Sequence, residues 1–339
     1  MCIRDRYSQG RHPEAEHEYR AVLTARVRVL GQDHPGTLES RMNFASLLDA
    51  QGKHSESVQE RRAILASRER VLGAEHPDTL ESRKELAEVL FSKGEYVAAE
   101  QEYRSMLAVA KRVLGPEHLD TLQIRGNLGV VLSSQDKHFE AERELRALLP
   151  IMDRVIGTDH PETLIGRNNL ARALDDQGKH VEAERELRPL LEVEERVFGA
   201  EHPTTLISRN NLAKALTGQG KHAESEREYR TLLTIQERVF GPENANTLSS
   251  RMSLANALGY QSRYAEAAQE YRVVLAQERL LGADHHDIIW GCYYLAVCLE
   301  AEGKQKEAPE FARRSLAGFQ KAWGNEHPMV KDAKALLTR

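Results

Sequence analysis

Between Pro161 and Phe198 the apolar residues fall into two helical stripes separated by a turn. Leu164, Leu170, Ala171 and Leu174 recur at helical spacings and predict one helix from Pro161 to about Gln177. Val181, Ala183, Leu187, Leu190, Leu191, Val197 and Phe198 form the apolar, buried face of a second helix over roughly 180–198. The punctuation agrees with both. Pro161 suits the first helical position, where a missing N–H costs nothing, Glu162 complements the positive end of the helix dipole, and His160 falls at the N-cap. The Gln-Gly-Lys run around Gly178 ends the first helix, because glycine tolerates the left-handed conformation of a C-terminal cap, and Gly199 closes the second.

The same pattern repeats along the chain. A Gly-x-[Asp/Glu]-His-Pro signature or a near variant opens at Gly31, Gly73, Gly115, Gly157, Gly199 and Gly241, then at Gly282 in degraded form and again at Gly324. The step is 42 residues except before Gly282, where one residue is missing near Ala276. A helix pair cannot bury its apolar face alone and needs neighbours to stack on, so the chain reads as all-α: an α-solenoid of antiparallel helix pairs. As a single solenoid over 1–339 it divides into a non-repeat start (1–7), a half repeat (8–31), seven repeats (32–73, 74–115, 116–157, 158–199, 200–241, 242–282 and 283–324) and a closing helix in 325–339. First helices are expected near Pro35, Pro77, Leu119, Pro161, Pro203, Ala245 and His286, which makes sixteen helices in all and no strand. Pro150 and Pro189 fall inside second helices, where a kink is expected. The opening in mid-repeat is expected of a fragment whose lone second helix leaves parts of Val22, Leu23 and Val29 uncovered, a site for weak self-association. Lys331, Asp332 and Lys334 give the closing helix a polar outer side.

The run HPETLIGRNNLARALDDQGKHVEAERELRPLLEVEERVFG resembles the 42-residue tetratricopeptide repeat of kinesin light chains. It is more similar still to the repeat arrays of bacterial signalling proteins. The resemblance covers residues 8 to 336. It implies helix pairs wound into a right-handed superhelix, with the first helices lining a groove that holds peptides. The chain departs from kinesin light chains where they commonly carry leucine, having instead Arg41, Arg83, Arg125, Arg167, Arg209 and Arg251, which speaks against a motor adaptor. These arginines fall where helices pack closely, so their stems are expected over apolar neighbours with each guanidinium paired to a carboxylate or a helix-end carbonyl.

Composition and charge narrow the function classes. With 29% charged and 6% aromatic residues the chain suits long helices with modest cores. Its formal charge is −5 and acids alternate with bases, which argues against a nucleic-acid partner. No apolar run approaches a membrane span, and Cys2, Cys292 and Cys298 make no CxxC pair, so a cytoplasmic location is expected. Glu16/Arg20, Glu100/Arg104, Glu142/Arg146, Glu184/Arg188 and Glu226/Arg230 read as local ion pairs on a solvated outer face. His34, His76, His118, His160, His202 and His327 recur once per repeat and cannot converge on a metal, so they read as helix caps and no metal or other cofactor is expected. Asp175 and Asp176 are neighbours on a helix and diverge. With no nucleophile or phosphate loop beside them, an enzyme is not expected.

Function is expected on the first helices. The resemblance places Ile165, Asn168, Asn169, Arg172 and Asp176 of the fourth repeat, and Ile207, Asn210, Asn211 and Lys214 of the fifth, on the inner face. One asparagine per repeat recurs as Asn43, Asn127, Asn169 and Asn211, replaced by Glu85, Ser253 and Tyr294. Such amides either hold an extended peptide backbone or pack between repeats. Asn169 and Asn211 match two asparagines of the carboxylate clamp of chaperone-binding repeat proteins, but Ile165, Ile207, Ser249 and Ser253 stand where that clamp has its cations. Arg172 and Lys214 are the substitutes, so the expected ligand is a protein segment or peptide of acidic character lying across the third to sixth repeats. Trp290, Tyr293 and Tyr294 offer a second contact surface near the C-terminal end.

Overall fold

A computed structural model describes residues 12–337, so the non-repeat start and the first turn of the half repeat lie outside the described residues. Every regular element in that span is a helix. The first compact unit, through Asn169, contains α1 (His12–Leu30), α2 (Pro35–Ala50), α3 (His54–Leu72), α4 (Pro77–Ser92), α5 (Tyr96–Val113), α6 (Leu119–Ser133), α7 (His138–Val155) and the start of α8 (Pro161–Asp176). The second, from Leu170, continues with α9 (His180–Val197), α10 (Pro203–Gly218), α11 (His222–Val239), α12 (Ala245–Tyr260), α13 (Tyr264–Leu275), α14 (Glu278–Leu281), α15 (His286–Ala301), α16 (Ala308–Trp323) and α17 (Pro328–Ala335). Every first helix starts at the residue expected. Seventeen helices stand among the described residues against sixteen expected, because the sixth repeat's second helix breaks where a residue is missing. There Gln277 bonds back to Val274 only three residues away, and one further turn, α14, restores the register.

Each first helix is capped as its signature requires. His34, His76, His118, His160, His202, His285 and His327 accept, through Nδ1, the N–H two residues on, at 3.1–3.3 Å, while Asn244 does the same through Oδ1. The threonine after the signature adds a second tie, with Thr121, Thr163 and Thr205 donating to the carbonyls of Gly115, Gly157 and Gly199. Pro150 and Pro189 are exposed, and both helices run through them unbroken, since a lost backbone bond on the solvent side is the easiest to replace.

The core follows the stripes, with two corrections. Leu206, Ala213, Tyr229, Leu232 and Leu233 bury between α10 and α11, as the spacing predicts. Val181 and Val197, expected inside, are 56% and 42% exposed. The first lies on the outer side of a helix's opening turn, like Val97 and Phe139. The second is one of a column of exposed apolar residues, Val29, Val71, Val113, Val155 and Val239 among them, that ends every second helix. Val29 is therefore exposed for the reason its counterparts are, while Leu23 packs on Ala15, Phe44, Leu47 and Leu48.

Charged residues stitch successive repeats together. Arg83 of α4 reaches back to Glu69 on α3 and forward to Glu102 on α5, and Arg209 and Arg251 repeat this with Glu195 and Glu228, and with Glu237 and Glu270. The ion pairs expected on a solvated face are formed, but their glutamates face inward. The Glu100 side chain is 10% exposed and takes Arg104 at 2.7 Å, Gln135 at 2.8 Å and Lys137 at 2.8 Å, the last two from the turn of the next repeat. Glu184 is held in the same way by Arg188, Gln219 and Lys221, and Glu226 by Arg230, Gln261 and Arg263. Burial by itself would raise the Glu100 and Glu184 carboxyls. The surrounding cations and amides outweigh it and bring both down to about 2.

The turn between helices needs a left-handed residue, glycine at Gly52, Gly94, Gly178, Gly220 and Gly303. Asp136 and Ser262 fill it instead, at φ 59° and 60°. Ser262 pays the steric cost of that conformation, so Ser262→Gly is expected to stabilise the chain by about 0.5–1 kcal/mol in urea melts. An unchanged or lower midpoint would show that the serine is not strained.

Candidate functional site

Two recesses open at the same register three repeats apart, one in each compact unit. The first, about 510 Å³, lies among α4, α5 and α6. Leu80, Tyr103, Met106, Ala110 and Ile124 make its floor, and Val113 and Leu114, from the apolar column that ends second helices, make a wall. Gln123 and Asn127 add amides, and Glu81, Lys84, Asp120 and Glu162 add charge. The second, about 210 Å³, is lined by Leu206, Ile207, Asn210, Gln236, Phe240, Asn246, Ser249 and Ser250 and carries no charge.

A pair of positions fourteen residues apart sets what each recess can hold. On the second helix and the next first helix this pair reads Arg26 with Ser40, Arg68 with Ser82, Ala110 with Ile124, Met152 with Gly166, Glu194 with Ser208 and Gln236 with Ser250. The two arginines fill the space themselves, Arg26 reaching Ser40 Oγ at 2.6 Å and the Gly36 carbonyl, and Arg68 reaching Ser82 Oγ and the Asp78 carbonyl, each at 2.7 Å. Ala110, the smallest residue at the second-helix position of these pairs, leaves the space open, which is why the recess of the first unit is deep.

The residues singled out in the sequence are distributed unevenly over this geometry. Asn127 lines the first recess, and Ile207 and Asn210 line the second. Ile165 is 39% exposed and Lys214 is exposed, whereas Asn169 and Arg172 are half-buried, and none of these four lines a recess. Asn168 and Asn211 are buried and engaged within the protein. At two other positions of the column to which Asn169 and Asn211 belong the side chain meets the preceding second helix, Glu85 pairing with Arg61 at 3.1 Å and Tyr294 stacking on Tyr271 at 5.9 Å, whereas Asn127 of the same column lines the first recess. Trp290, Tyr293 and Tyr294 are half-buried: Trp290 lies 5.1 Å and Tyr293 5.8 Å from Phe319 on α16, while Tyr294 stacks on Tyr271 of α13. Glu81, Asp120, Gln123 and Asn246 were missed. For Glu81, Gln123 and Asn246 the signal was present, since each lies one helical step from a residue that was named, Glu85, Asn127 and Ser249, but their direction depends on the neighbouring helix.

Among the described residues no group of three or more His, Cys, Asp or Glu side chains is placed to hold a metal ion, and no helix is long and apolar enough to cross a membrane. What the geometry offers is a repeated surface with recesses of apolar floor and polar rim, in a protein built of stacked helix pairs.

The chain belongs to the tetratricopeptide repeat family, whose model matches residues 4–60, 84–142, 120–188, 176–229 and 206–277. The crystal structure of nearly identical TPR-like repeats of a kinesin light chain from Podosopora anserina is similar at a TM-score of 0.54 and 25% identity, covering 61% of this chain and 99% of that one. A signal transduction ATPase with a tetratricopeptide repeat sensor from Pyrococcus horikoshii is similar at a TM-score of 0.65 and 13% identity, over 96% of this chain and 48% of that one. A Rap protein complexed with Competence and Sporulation Factor is similar at 0.54 and 12%, over 90% and 99%. No curated protein sequence matches the chain.

One floor position carries an uncompensated acid. Glu194 is fully buried with Ser208 beside it but too loosely placed to satisfy the carboxyl, and burial pushes it up to about 7, the hydroxyl pulling weakly the other way. The folded state therefore holds this proton more tightly than the unfolded chain. The cost is absent below the ordinary carboxyl range, grows as pH rises and is complete above about 7, where it amounts to about 3 kcal/mol. Glu194→Gln, which copies Gln236 of the next repeat, should gain about 2–3 kcal/mol over the parent between pH 5 and pH 8 in urea melts. A difference between the two proteins that stays constant with pH would mean that Glu194 is not protonated in the fold.

Proposed function

We propose that the chain is a non-catalytic scaffold that holds an extended segment of a partner protein in the recesses between successive first helices. Repeats of this family generally mediate protein–protein contact. The observation that carries the reading is the recurrence of one recess at matching positions in both compact units: Leu80 and Leu206, Glu81 and Ile207, Lys84 and Asn210, Asp120 and Asn246, Gln123 and Ser249. The frame is the same and the lining differs, as expected of recesses that each select the side chain they hold. The Rap protein bound to Competence and Sporulation Factor and the ATPase with a repeat sensor support the reading by analogy of fold.

The acidic character first expected of the ligand rested on Arg172 and Lys214, and neither lines a recess. Self-association through α1 has no particular support either, because its exposed Val29 is matched in other repeats. The ligand is read instead from the linings themselves. Because the linings stand on rigid helices, little ordering is needed when a segment binds.

The test is selection of peptides from a random library on the full chain, followed by titration against Asn127→Ala and, separately, Asn210→Ala. One lost hydrogen bond, at about 1 kcal/mol, should weaken peptides held at the altered recess roughly fivefold without altering the helical melt. Failure to select any peptide, or unchanged affinity in both variants, would refute the recess as the contact.

A further inference from the structure

The recess of the first unit is specific about charge. Resting on the scaffold reading, we propose that it takes the side chain of an arginine or lysine carried by an extended partner segment, the aliphatic stem lying on the floor and the cation among the carboxylates of the rim.

Three observations converge on that occupant. The floor is apolar and open because Ala110 stands where Arg26 and Arg68 stand in earlier repeats. In those repeats the chain's own arginine occupies the equivalent space, its guanidinium satisfied by a helix-start carbonyl and a serine hydroxyl. An arginine supplied from outside replaces, at the joint of the second and third repeats, what Arg68 supplies at the joint of the first and second. The rim agrees in sign. Of its four carboxylates only Glu75 is neutralised, by Arg112. Glu81 has only Lys84 near it, at 3.9 Å between exposed groups. Asp120 faces His118 Nδ1 at 3.7 Å, but that nitrogen accepts the Asp120 N–H and so carries no proton toward the carboxylate. Glu81, Asp120 and Glu162 thus outnumber the single Lys84. A cation bound there trades hydration for charge-assisted hydrogen bonds, with its stem on Tyr103, Met106 and Ile124, the division of labour that long basic side chains adopt at half-apolar surfaces.

The contrast with the second unit sharpens the assignment. There the positions of Glu81 and Asp120 are Ile207 and Asn246, and the floor is closed by Gln236. The same frame in that unit offers no counter-charge, so an arginine is recognised in the first unit alone.

Three pools of labelled extended dodecapeptides test this, each with one central variable residue: arginine or lysine, glutamate or aspartate, and leucine or glutamine. The full chain should bind the basic pool at least tenfold more tightly than the acidic one, with affinity falling as salt rises. Glu81→Gln with Asp120→Asn and Glu162→Gln, which keeps size and removes charge, should abolish the preference. Ala110→Met with Ile124→Gly, which installs the Met152 and Gly166 pair already native to the next repeat, should fill the floor and weaken the basic pool at least tenfold while the helical melt is retained. Preference for the acidic pool, or a basic preference that survives both variants, overturns the assignment. Tight binding of the neutral pool alone, lost on Ile207→Ala with Asn210→Ala, overturns it while leaving the scaffold reading standing. Binding of no pool counts against both.

Discussion

The constraint from which the rest of the structure follows is that a two-helix repeat has more apolar surface than its own partner helix can cover. Leu206, Ala213, Leu232 and Leu258 are each within a few per cent of full burial, and they share one cluster built from successive repeats. Stability of such an array is nearly a sum of repeat terms and nearest-neighbour terms, so every repeat must be joined to the next at a defined offset. Hydrophobic contact alone fixes that offset poorly, because leucine slides on leucine.

The polar bridges supply the offset. A buried glutamate near the start of a second helix, held by an amide and a cation from the turn of the following repeat, is satisfied in one register only. The exceptions support the point. Where the glutamate is replaced by Val58, the facing turn reads Lys93-Gly94-Glu95 and its two charges pair with each other at 2.6 Å. Where it is replaced by Ala268, the turn reads Glu302-Gly303-Lys304 and closes on itself in the same way. Donor and acceptor change together, as they must when removing one partner of a buried pair would strand the other. The arginine column works alike: Arg83, Arg209 and Arg251 each bridge the second helices on both sides of their own first helix, while Arg41 and Arg125 pair with the following second helix and Arg167 with the preceding one. Such bridges contribute specificity of stacking more than net stability, since desolvation offsets much of their attraction.

Much of this was legible in the sequence because it is local. Caps, turns and helix starts depend on a few neighbouring residues, and His34 or Gly178 declares its role within a span of four. The pairing of the arginines was readable because a cation in a packed place has few options. What was not readable depends on which way a side chain points once a third helix arrives. Val197 and Val181 belong to the apolar stripe by spacing yet lie beyond the edge of the covering helix. Asn211 belongs to the groove by analogy yet is buried in the structure. Glu81 and Asp120 carry no mark of their own in the sequence, and only the depth left by Ala110, fourteen residues before Ile124 and on a different helix from both acids, makes them a rim. That correlation is invisible until the second helix of one repeat is seen against the first helix of the next.

The separation between frame and lining has a consequence for how such a chain acquires specificity. The residues that fix stacking (the capping histidines, the buried glutamates and the arginine column) stand outside the pair of positions that floors each recess. That pair changes from Arg and Ser to Ala and Ile, Met and Gly, Glu and Ser, and Gln and Ser along a single chain while the helices keep their length and register. Its members compensate in volume or hydrogen bonding, a large residue facing Gly166 or a serine and a small one facing Ile124, so each exchange is confined to one joint. In an array where each repeat touches only its neighbours, such an exchange does not propagate. A recess can therefore be opened, closed, charged or neutralised at one place without loosening the stack, and on the scaffold reading proposed above the run of different floors along the chain is what sets the binding preference.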